Sequence, residues 1–475
     1  MRGLRRAARP MVTEHPSGPT PPALGPALGG DADAAPGYPF DGRLHMADTD
    51  REHLAARVAA IRPTGYVEWQ QTGIDLLLLG RYEDALDHLD RALELADTER
   101  RRVAVLINLG DVYRYQGDAV TAEILYRQAL DLARTDVPEA LSFALQHLGT
   151  ALAEQHRLDE ARTLLAEALA LRSAEADSEL VESTCATLDA LDELPIALPP
   201  VVAALLGAAP VWSDDHEGLS GGVSFVNGAY WVKRGPLAVS EHARLNWLRD
   251  YGIRLPDVAV FDGDVLVLAD AGAPSLASRA EDNERAAAEI GAAADGGFSE
   301  GRAYAADASV RSDEVPGGYP AEATGTVGAL MGALLRSLHS IPIAECPFDG
   351  RLDSMLTRAA RRVLHGLIDP EDFDEDHEHL VPEQILDRLH AQRPDERDLV
   401  VAHGDFTPSN VLEGGILIDV GDLGVADRYR DLALAERDLR EDFGADEVRA
   451  FFTAYGLDEP DRRRLDYYRL LDELF

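Results

Sequence analysis

Apolar positions recur at helical spacing from about residue 62 to residue 192, and the pattern repeats along the chain. Gly73, Gly110 and Gly149 occupy equivalent places, 37 and 39 residues apart. Ala85, Ala122 and Ala161 follow the same two intervals, as do Ala92, Ala129 and Ala168. Within each unit one helix ends near a turn (Gly80-Arg81, Gly117-Asp118, Arg157-Leu158), and a second helix follows. In the first unit that second helix reads Tyr82, Ala85, Leu89, Ala92, Leu93. Small residues at fixed positions let paired helices approach closely. The pattern predicts three helical pairs and a capping helix near 176–192, an all-α array over residues 61–193.

The period then changes. Residues 194–212 lack charge, but Pro195, Pro199, Pro200 and Pro210 would break a membrane-spanning helix, so 194–209 reads as a linker. Residues 210–271 read as a small β-rich lobe. Strands are predicted at Val223–Val226 and Ala229–Lys233, joined by the hairpin dipeptide Asn227-Gly228. A second hairpin, Val258–Phe261 with Val265–Leu268, turns across Asp262-Gly263. Between the two hairpins a helix is expected over Glu241–Arg249, with Leu245 and Leu248 on its inner face. Residues 272–475 form the rest, with a helix over Val327–Ile341 and an apolar run at Leu399, Val400 and Val401. The Ala-, Gly- and Asp-rich stretch near 278–325 reads as a mobile insertion. Residues 1–60 lack apolar periodicity and are expected to be disordered, with an over-long start (Met11 or Met46 as the true first residue) an equal reading of the same stretch.

Composition narrows the choices. The chain of 475 residues is too long for one ordinary core. Its formal net charge of −40 argues against nucleic-acid binding through a basic surface and favours attraction of a polycation, although acidity also serves solubility alone. No segment reads as a membrane span. Two cysteines, Cys185 and Cys346, make no disulfide framework and suit the cytoplasm. The 45 basic residues comprise 44 arginines and one lysine, Lys233. Arginine replaces lysine at most surface sites, but not where a compact ammonium must reach a phosphate between packed walls. Lys233, at the end of an apolar strand, is therefore a candidate phosphate ligand, with Glu241 eight residues later as its partner or as a plain first-turn acid. The glycine turn around Ser220, Gly221 and Gly222 offers backbone N–H groups to phosphates.

The richest chemistry lies in His403-Gly404-Asp405-Phe406-Thr407-Pro408-Ser409-Asn410, followed by Ile416-Leu417-Ile418-Asp419. The pattern predicts a loop, a turn and a short buried strand ending in a carboxylate. Asp405 is expected to be exposed on the loop, with Asn410 five positions on and Asp419 nine further. A carboxylate that accepts a hydroxyl proton, with an Asn and an Asp that share a hard cation, is what phosphoryl transfer to an alcohol needs. The plainer alternative is an Asp-capped turn beside a hairpin.

This stretch, with IDVGDLGVADRYRDLALAERDL after it and the ending YYRLLDELF, resembles the aminoglycoside phosphotransferases, above all their 3′ branch, over about residues 210–475. The helical array resembles tetratricopeptide repeats. The resemblance implies a multidomain chain: a tetratricopeptide-like all-α array and an α+β two-lobed protein-kinase-like domain, with ATP and Mg²⁺ as cofactors and an aminoglycoside as acceptor. It implies Asp405 as the catalytic base, Asn410 and Asp419 as metal ligands, and Lys233 with Glu241 at the nucleotide phosphates. The lobe connector, including Ala269 and Ala271, would meet the adenine through its backbone. Asp372, Asp374 and Glu375 of an acidic loop, Arg437, and the tail residues Asp472, Glu473 and Phe475 would bind the drug. A solvated acidic loop and a frayed charged terminus are the plainer alternatives. His403, Asp427 and Asp431 are expected to be structural. Asp422 departs from the 3′ branch, which commonly has Arg there, and is expected to alter the charge of the pocket. Other readings are a kinase for a different alcohol, or a regulatory protein that binds nucleotide without turnover. The repeats would offer a surface to a protein partner or would only support the kinase.

Overall fold

A computed structural model of the chain describes residues 51–155, 157–175, 178–191, 198–213, 223–278, 325–374 and 376–475. The chain divides into two compact units, one made of Met1–Tyr115 with Ala122–Ile196, the other of Gln116–Thr121 with Ala197–Phe475.

Among its described residues the first unit is built of helices. Helix α1 (Arg51–Ala60) precedes three antiparallel pairs: α2 (Tyr66–Leu78) with α3 (Tyr82–Glu94), α4 (Glu99–Gln116) with α5 (Ala119–Thr135), and α6 (Leu141–Glu154) with α7 (Leu158–Glu175). Helix α8 (Ser178–Leu191) follows as the expected cap. The repeated glycines sit where helices touch. A Cβ at Gly73, Gly110 or Gly149 would stand 2.6, 2.5 or 2.8 Å from the side chain of Leu89, Tyr126 or Leu165, each sixteen positions on. The six repeated alanines are fully buried. Successive pairs are tied by buried polar bonds, Gln70 Nε2 to Asn108 Oδ1 (2.8 Å) and Gln146 Nε2 to Thr187 Oγ1 (3.1 Å). The expectation of disorder up to residue 60 fails over its last ten residues. Buried Leu54 and the two bonds from Arg57 to Asp75 (2.8 and 2.6 Å) secure α1 on α2, and such long-range contacts leave little trace in local composition.

In the second unit, strands β1 (Trp212–Ser213), β2 (Val223–Val226), β3 (Tyr230–Arg234), β4 (Val258–Asp262) and β5 (Val265–Ala269) form one antiparallel sheet in the order β1-β2-β3-β5-β4. Asn227 and Gly228 take positive φ (57° and 65°), as a tight β2–β3 hairpin requires. The sheet has two apolar faces. Val226, Val232, Val265 and Val267 pack against Val202 and Leu206 of α9 (Pro200–Leu206). This corrects the linker assigned to 194–209. Pro200 occupies the first helical position, where its missing N–H is harmless, and the charge-free run covers a sheet face that would otherwise meet water. On the other face Leu266 and Leu268 share a core with Leu245 and Leu248 of α10 (Pro236–Arg249).

The large lobe contains α11 (Val327–His339), α12 (Leu352–Leu364), α13 (Pro382–Gln392), α14 (Tyr429–Asp442), α15 (Ala445–Tyr455) and α16 (Arg462–Asp472). Two small antiparallel ladders carry the functional loops: β6 (Leu399–Ala402) with β9 (Gly424–Asp427), and β7 (Val411–Leu412) with β8 (Ile416–Leu417). The stretch expected as an insertion lies almost wholly outside the described residues. Among the described residues no helix is long and apolar enough to cross a membrane.

Helices α11 and α15 cross at the bare backbone of Gly328 and Gly332. A Cβ on Gly332 would lie 2.2 Å from the carbonyl oxygen of Phe451, a main-chain atom that cannot swing aside. Gly332→Ala is therefore expected to cost about 1–3 kcal/mol of stability, measured by denaturant unfolding.

Candidate active site

The loop before Asp405 is built on a buried carboxylate. Asp431, in the first turn of α14, is fully buried and accepts the backbone N–H groups of His403 and Gly404, both at 2.8 Å. His339, at the end of α11, donates from Nε2 to the same carboxylate (2.9 Å), and its Nδ1 pairs with the Tyr455 hydroxyl (2.8 Å). Burial alone would raise the Asp431 pKa, but His339 and the loop amides outweigh it and hold the carboxyl below its usual range. Gly404 has a φ of 97°, and a Cβ there would lie 2.7 Å from Asp422 O and 2.9 Å from the Arg430 guanidinium. His403 accepts the Asp405 N–H at Nδ1 (3.3 Å), so its Nε2 carries the proton donated to Ile418 O (3.0 Å). It is a bridge between two loops, as expected.

Asp405 is exposed at the end of this frame. Asn410 Nδ2 donates to Asp405 Oδ2 (2.7 Å) and to the Asp405 carbonyl (2.9 Å). Ile418 N–H, in turn, donates to Asn410 O (3.1 Å), so the hairpin carries Asp419 into register with Asn410. Asp419 itself adopts the left-handed conformation (φ 53°). Its Oδ1 lies 3.3 Å from Lys233 Nζ, which also donates to Glu241 Oε2 at 2.7 Å. One ammonium is thus shared by two carboxylates from separate elements. Burial would lower the Lys233 pKa, but Glu241 and Asp419 reverse the sign and raise it. Burial shifts the Glu241 pKa upward; Lys233 opposes that shift and Asp419 adds a smaller repulsion. The Asp405 pKa is also raised, first by the protein around it, then by the charges of Asp472 and Asp419, against His403 and the Asn410 bond. Asp405 therefore feels the phosphate-side carboxylate and the tail carboxylate together. Glu241 does not open its helix as expected: α10 begins at Pro236 and places Glu241 in the second turn, buried beneath the sheet.

In the connector, the Ala269 N–H is engaged by Asp257 O (2.8 Å), so Ala269 has only its carbonyl to offer a base. Ala271 is exposed. Trp231 went unnoticed in the sequence. It lies two residues before Lys233 on β3, hence on the same sheet face, pairs with Leu268 in register, and donates from Nε1 to Asp270 Oδ1 (3.2 Å). The two-residue spacing was the available signal. Ser220, Gly221 and Gly222 lie outside the described residues.

The tail is anchored, not frayed. Arg437 pairs with Asp472 (2.6 Å) and with Asp438 (2.7 Å). Glu473 bonds to His377 Nδ1 (2.5 Å) and accepts the Asp374 N–H (3.3 Å). Arg362 donates to the Phe475 terminal oxygen (2.7 Å). Asp374, Arg437, Asp472, Glu473 and Phe475 are therefore linked to the tail network, whereas Asp372 sits in an exposed turn and Glu375 lies outside the described residues. Asp422 corrects another expectation. It is held between Arg358 (3.0 Å) and Arg430 (3.3 Å), and these cations overcome the effect of burial and press its pKa to about 2. Its charge is matched locally and adds little to the pocket. Asp427 is structural, accepting the Tyr429 N–H (3.0 Å) and pairing with Arg464.

Asp438 is the second residue that the sequence did not reveal. Burial pushes its pKa up to about 6, although Arg437 opposes the shift. A raised carboxyl pKa stabilises the fold below the unfolded value and loses that contribution as pH rises through about 6. From about pH 8 down to about pH 5.3 the wild type should gain roughly 1 kcal/mol relative to Asp438→Asn, read from paired denaturation curves.

Comparison with known proteins agrees with this geometry. The sequence profile of the Phosphotransferase enzyme family matches residues 215–468, and tetratricopeptide-repeat profiles match residues 69–135 and 144–175. An aminoglycoside 3′-phosphotransferase of Streptomyces fradiae is 43% identical over 155 residues, covering 30% of this chain and 58% of that protein. One from Streptomyces ribosidificus is 37% identical over 179 residues, covering 34% of this chain and 68% of that protein. The crystal structure of a type VIII aminoglycoside 3′-phosphotransferase aligns with 60% of this chain and 98% of its own at 30% identity, with a TM-score of 0.43. The chain thus spans little more than half the length of the first curated relatives it matches. With the family profile covering more than half of its residues, the chain belongs to the phosphotransferase enzyme family and carries tetratricopeptide repeats ahead of that domain.

Proposed function

We propose that this chain is an ATP-dependent aminoglycoside O-phosphotransferase acting at the 3′-hydroxyl, and that it confers resistance by adding negative charge to a cationic drug. The observation that carries the reading is the position of Asp405. Its carboxylate feels Asp419, which touches Lys233, and Asp472, which belongs to the acidic tail. A proton acceptor between a phosphate-binding ammonium and a set of carboxylates suits transfer from a nucleotide to a polyamine alcohol. The names of the Streptomyces relatives support the same acceptor class.

In this reading Asp405 orients the attacking hydroxyl and accepts its proton, and its raised pKa brings it closer to the acceptor it must deprotonate. The Asn410 bond fixes the carboxylate, and His403 fixes the loop. Lys233 binds the nucleotide phosphates, with Glu241 holding the ammonium in place. Trp231 and the Ala269 carbonyl line the base side. Asp472, Glu473 and Asp374 receive ammonium groups, while Arg437 holds Asp472 towards the site.

The residues also fit Mg²⁺. Asn410 and Asp419 supply hard oxygen donors from adjacent turns, and the Asp419 side chain stays 43% accessible beside Lys233. When bound there, the ion would neutralise phosphate charge during transfer. In this reading a kinase that draws on ATP would work in the cytoplasm, and the repeats would offer a surface for a protein partner.

The test is a coupled ADP-release assay with kanamycin and neomycin, followed by NMR of the product to locate the phosphate. Drug-stimulated turnover giving a 3′-phosphate is expected. Asp405→Ala should lower kcat by about 10²–10⁴-fold. Lys233→Arg should retain the charge but lose at least about tenfold in kcat/KM for ATP, because the forked guanidinium cannot occupy the ammonium's place between Glu241 and Asp419. Absence of turnover with every aminoglycoside, the wild type matching Asp405→Ala, would remove the reading.

A further inference from the structure

Asp422 stands where three arginines from three helices meet. Arg430 of α14 and Arg358 of α12 hold its two carboxylate oxygens, Arg358 Nη1 to Oδ1 at 3.0 Å and Arg430 Nη2 to Oδ2 at 3.3 Å. Arg244 of α10 donates from Nε to the next carbonyl, Leu423 O (2.8 Å), and adds a third positive charge that Asp422 feels. Each arginine leads to a different part of the site. The Arg430 guanidinium lies directly behind Gly404, so close that a Cβ there would stand 2.9 Å away, and Gly404 precedes Asp405. Arg358 stacks over the Phe475 ring, 5.1 Å from its centre, while Arg362, one turn on, grips the Leu474 carbonyl (2.8 Å) and the Phe475 terminal oxygen (2.7 Å). Phe475 ends the tail that bears Asp472 and Glu473. Arg244 lies three residues after Glu241, the partner of Lys233. Asp422 itself closes the short 3-10 turn that starts after Asp419.

We propose that Asp422 is a positioning residue that couples the acceptor tail to the phosphoryl-transfer loop, through Arg358 on one side and Arg430 on the other. Resting on the reading of the site as an aminoglycoside kinase, this assigns Asp422 and Arg358 a role in acceptor use without contact to the acceptor. The physical reason is the balance of charge. Buried Arg430 has Asp422 as its carboxylate partner, and the same anion keeps Arg358 at the terminal ring. Removing the charge frees both guanidiniums, one behind the catalytic loop and one beneath the tail. Removing Arg358 alone frees only the tail. The two substitutions should therefore leave different signatures, which a general loss of stability would not produce.

The experiment compares wild type, Asp422→Asn, Asp422→Glu and Arg358→Gln in the full chain, well below their melting temperatures. Arg358→Gln is expected to raise the KM for kanamycin about five- to tenfold with kcat within about threefold of wild type. Asp422→Asn is expected to lower kcat about tenfold and to raise the kanamycin KM as well, with Asp422→Glu restoring most of both. In the double variant Asp422→Asn/Arg358→Gln, the acceptor KM should be no worse than in Asp422→Asn alone, because both changes break the same link. Amide hydrogen exchange supplies a readout that needs no acceptor. Asp422→Asn should speed exchange in peptides covering residues 403–410 and 470–475, and Arg358→Gln only in the latter. Variants that merely melt earlier, with kinetics within about twofold of wild type and unchanged exchange at both segments, would overturn the proposal. If the wild type turns over no aminoglycoside, the functional reading fails and the exchange pattern alone decides this inference.

Discussion

One ammonium between two carboxylates holds the site together. Lys233 reaches Glu241 from the small-lobe helix and Asp419 from the large-lobe turn, so one side chain joins the two halves of the second unit at the site. Burial raises the Glu241 pKa, with Lys233 opposing the shift and Asp419 adding to it. A chain that uses arginine at all 44 of its other basic positions retains lysine here because only a compact, rotatable charge can serve both partners.

The remaining polar groups of the site form a hierarchy of support. Asp431 holds the loop by two backbone amides, His339 holds Asp431, and Tyr455 holds His339. The bare backbones of Gly328 and Gly332 allow the α11–α15 crossing that brings His339 and Tyr455 together. Precision at Asp405 therefore traces back through Asp431, His339 and Tyr455 to a steric requirement where two helices cross. The tail follows the same logic: Arg437, Arg362 and His377 hold Asp472, Phe475 and Glu473.

The repeats and the phosphotransferase domain obey different rules. In the repeats, stability comes from small residues that recur with the helical pairs and admit close packing, so each unit looks much like the next. In the second unit no position repeats, and long-range ion pairs such as Arg464 with Asp398 (2.6 Å) join segments far apart in sequence. The first unit is accordingly readable by period, the second by motif.

Local pattern and motif determined a good deal. The paired helices, the Asn227-Gly228 hairpin and the strand before His403 follow from spacing and residue chemistry, because helical period and hairpin turns are local facts. Tertiary structure decided the rest. Only packing turned the charge-free stretch at 200–206 into a helix over the sheet, drew Leu54 and Arg57 onto the first repeat, and started α10 five residues before Glu241. Only the fold matched Asp422 to Arg358 and Arg430, so that a carboxylate expected to recharge the pocket became a structural tie. The reason is common to all of these cases. Burial and ion pairing depend on what lies across space, and a sequence lists each partner without saying where the other will be.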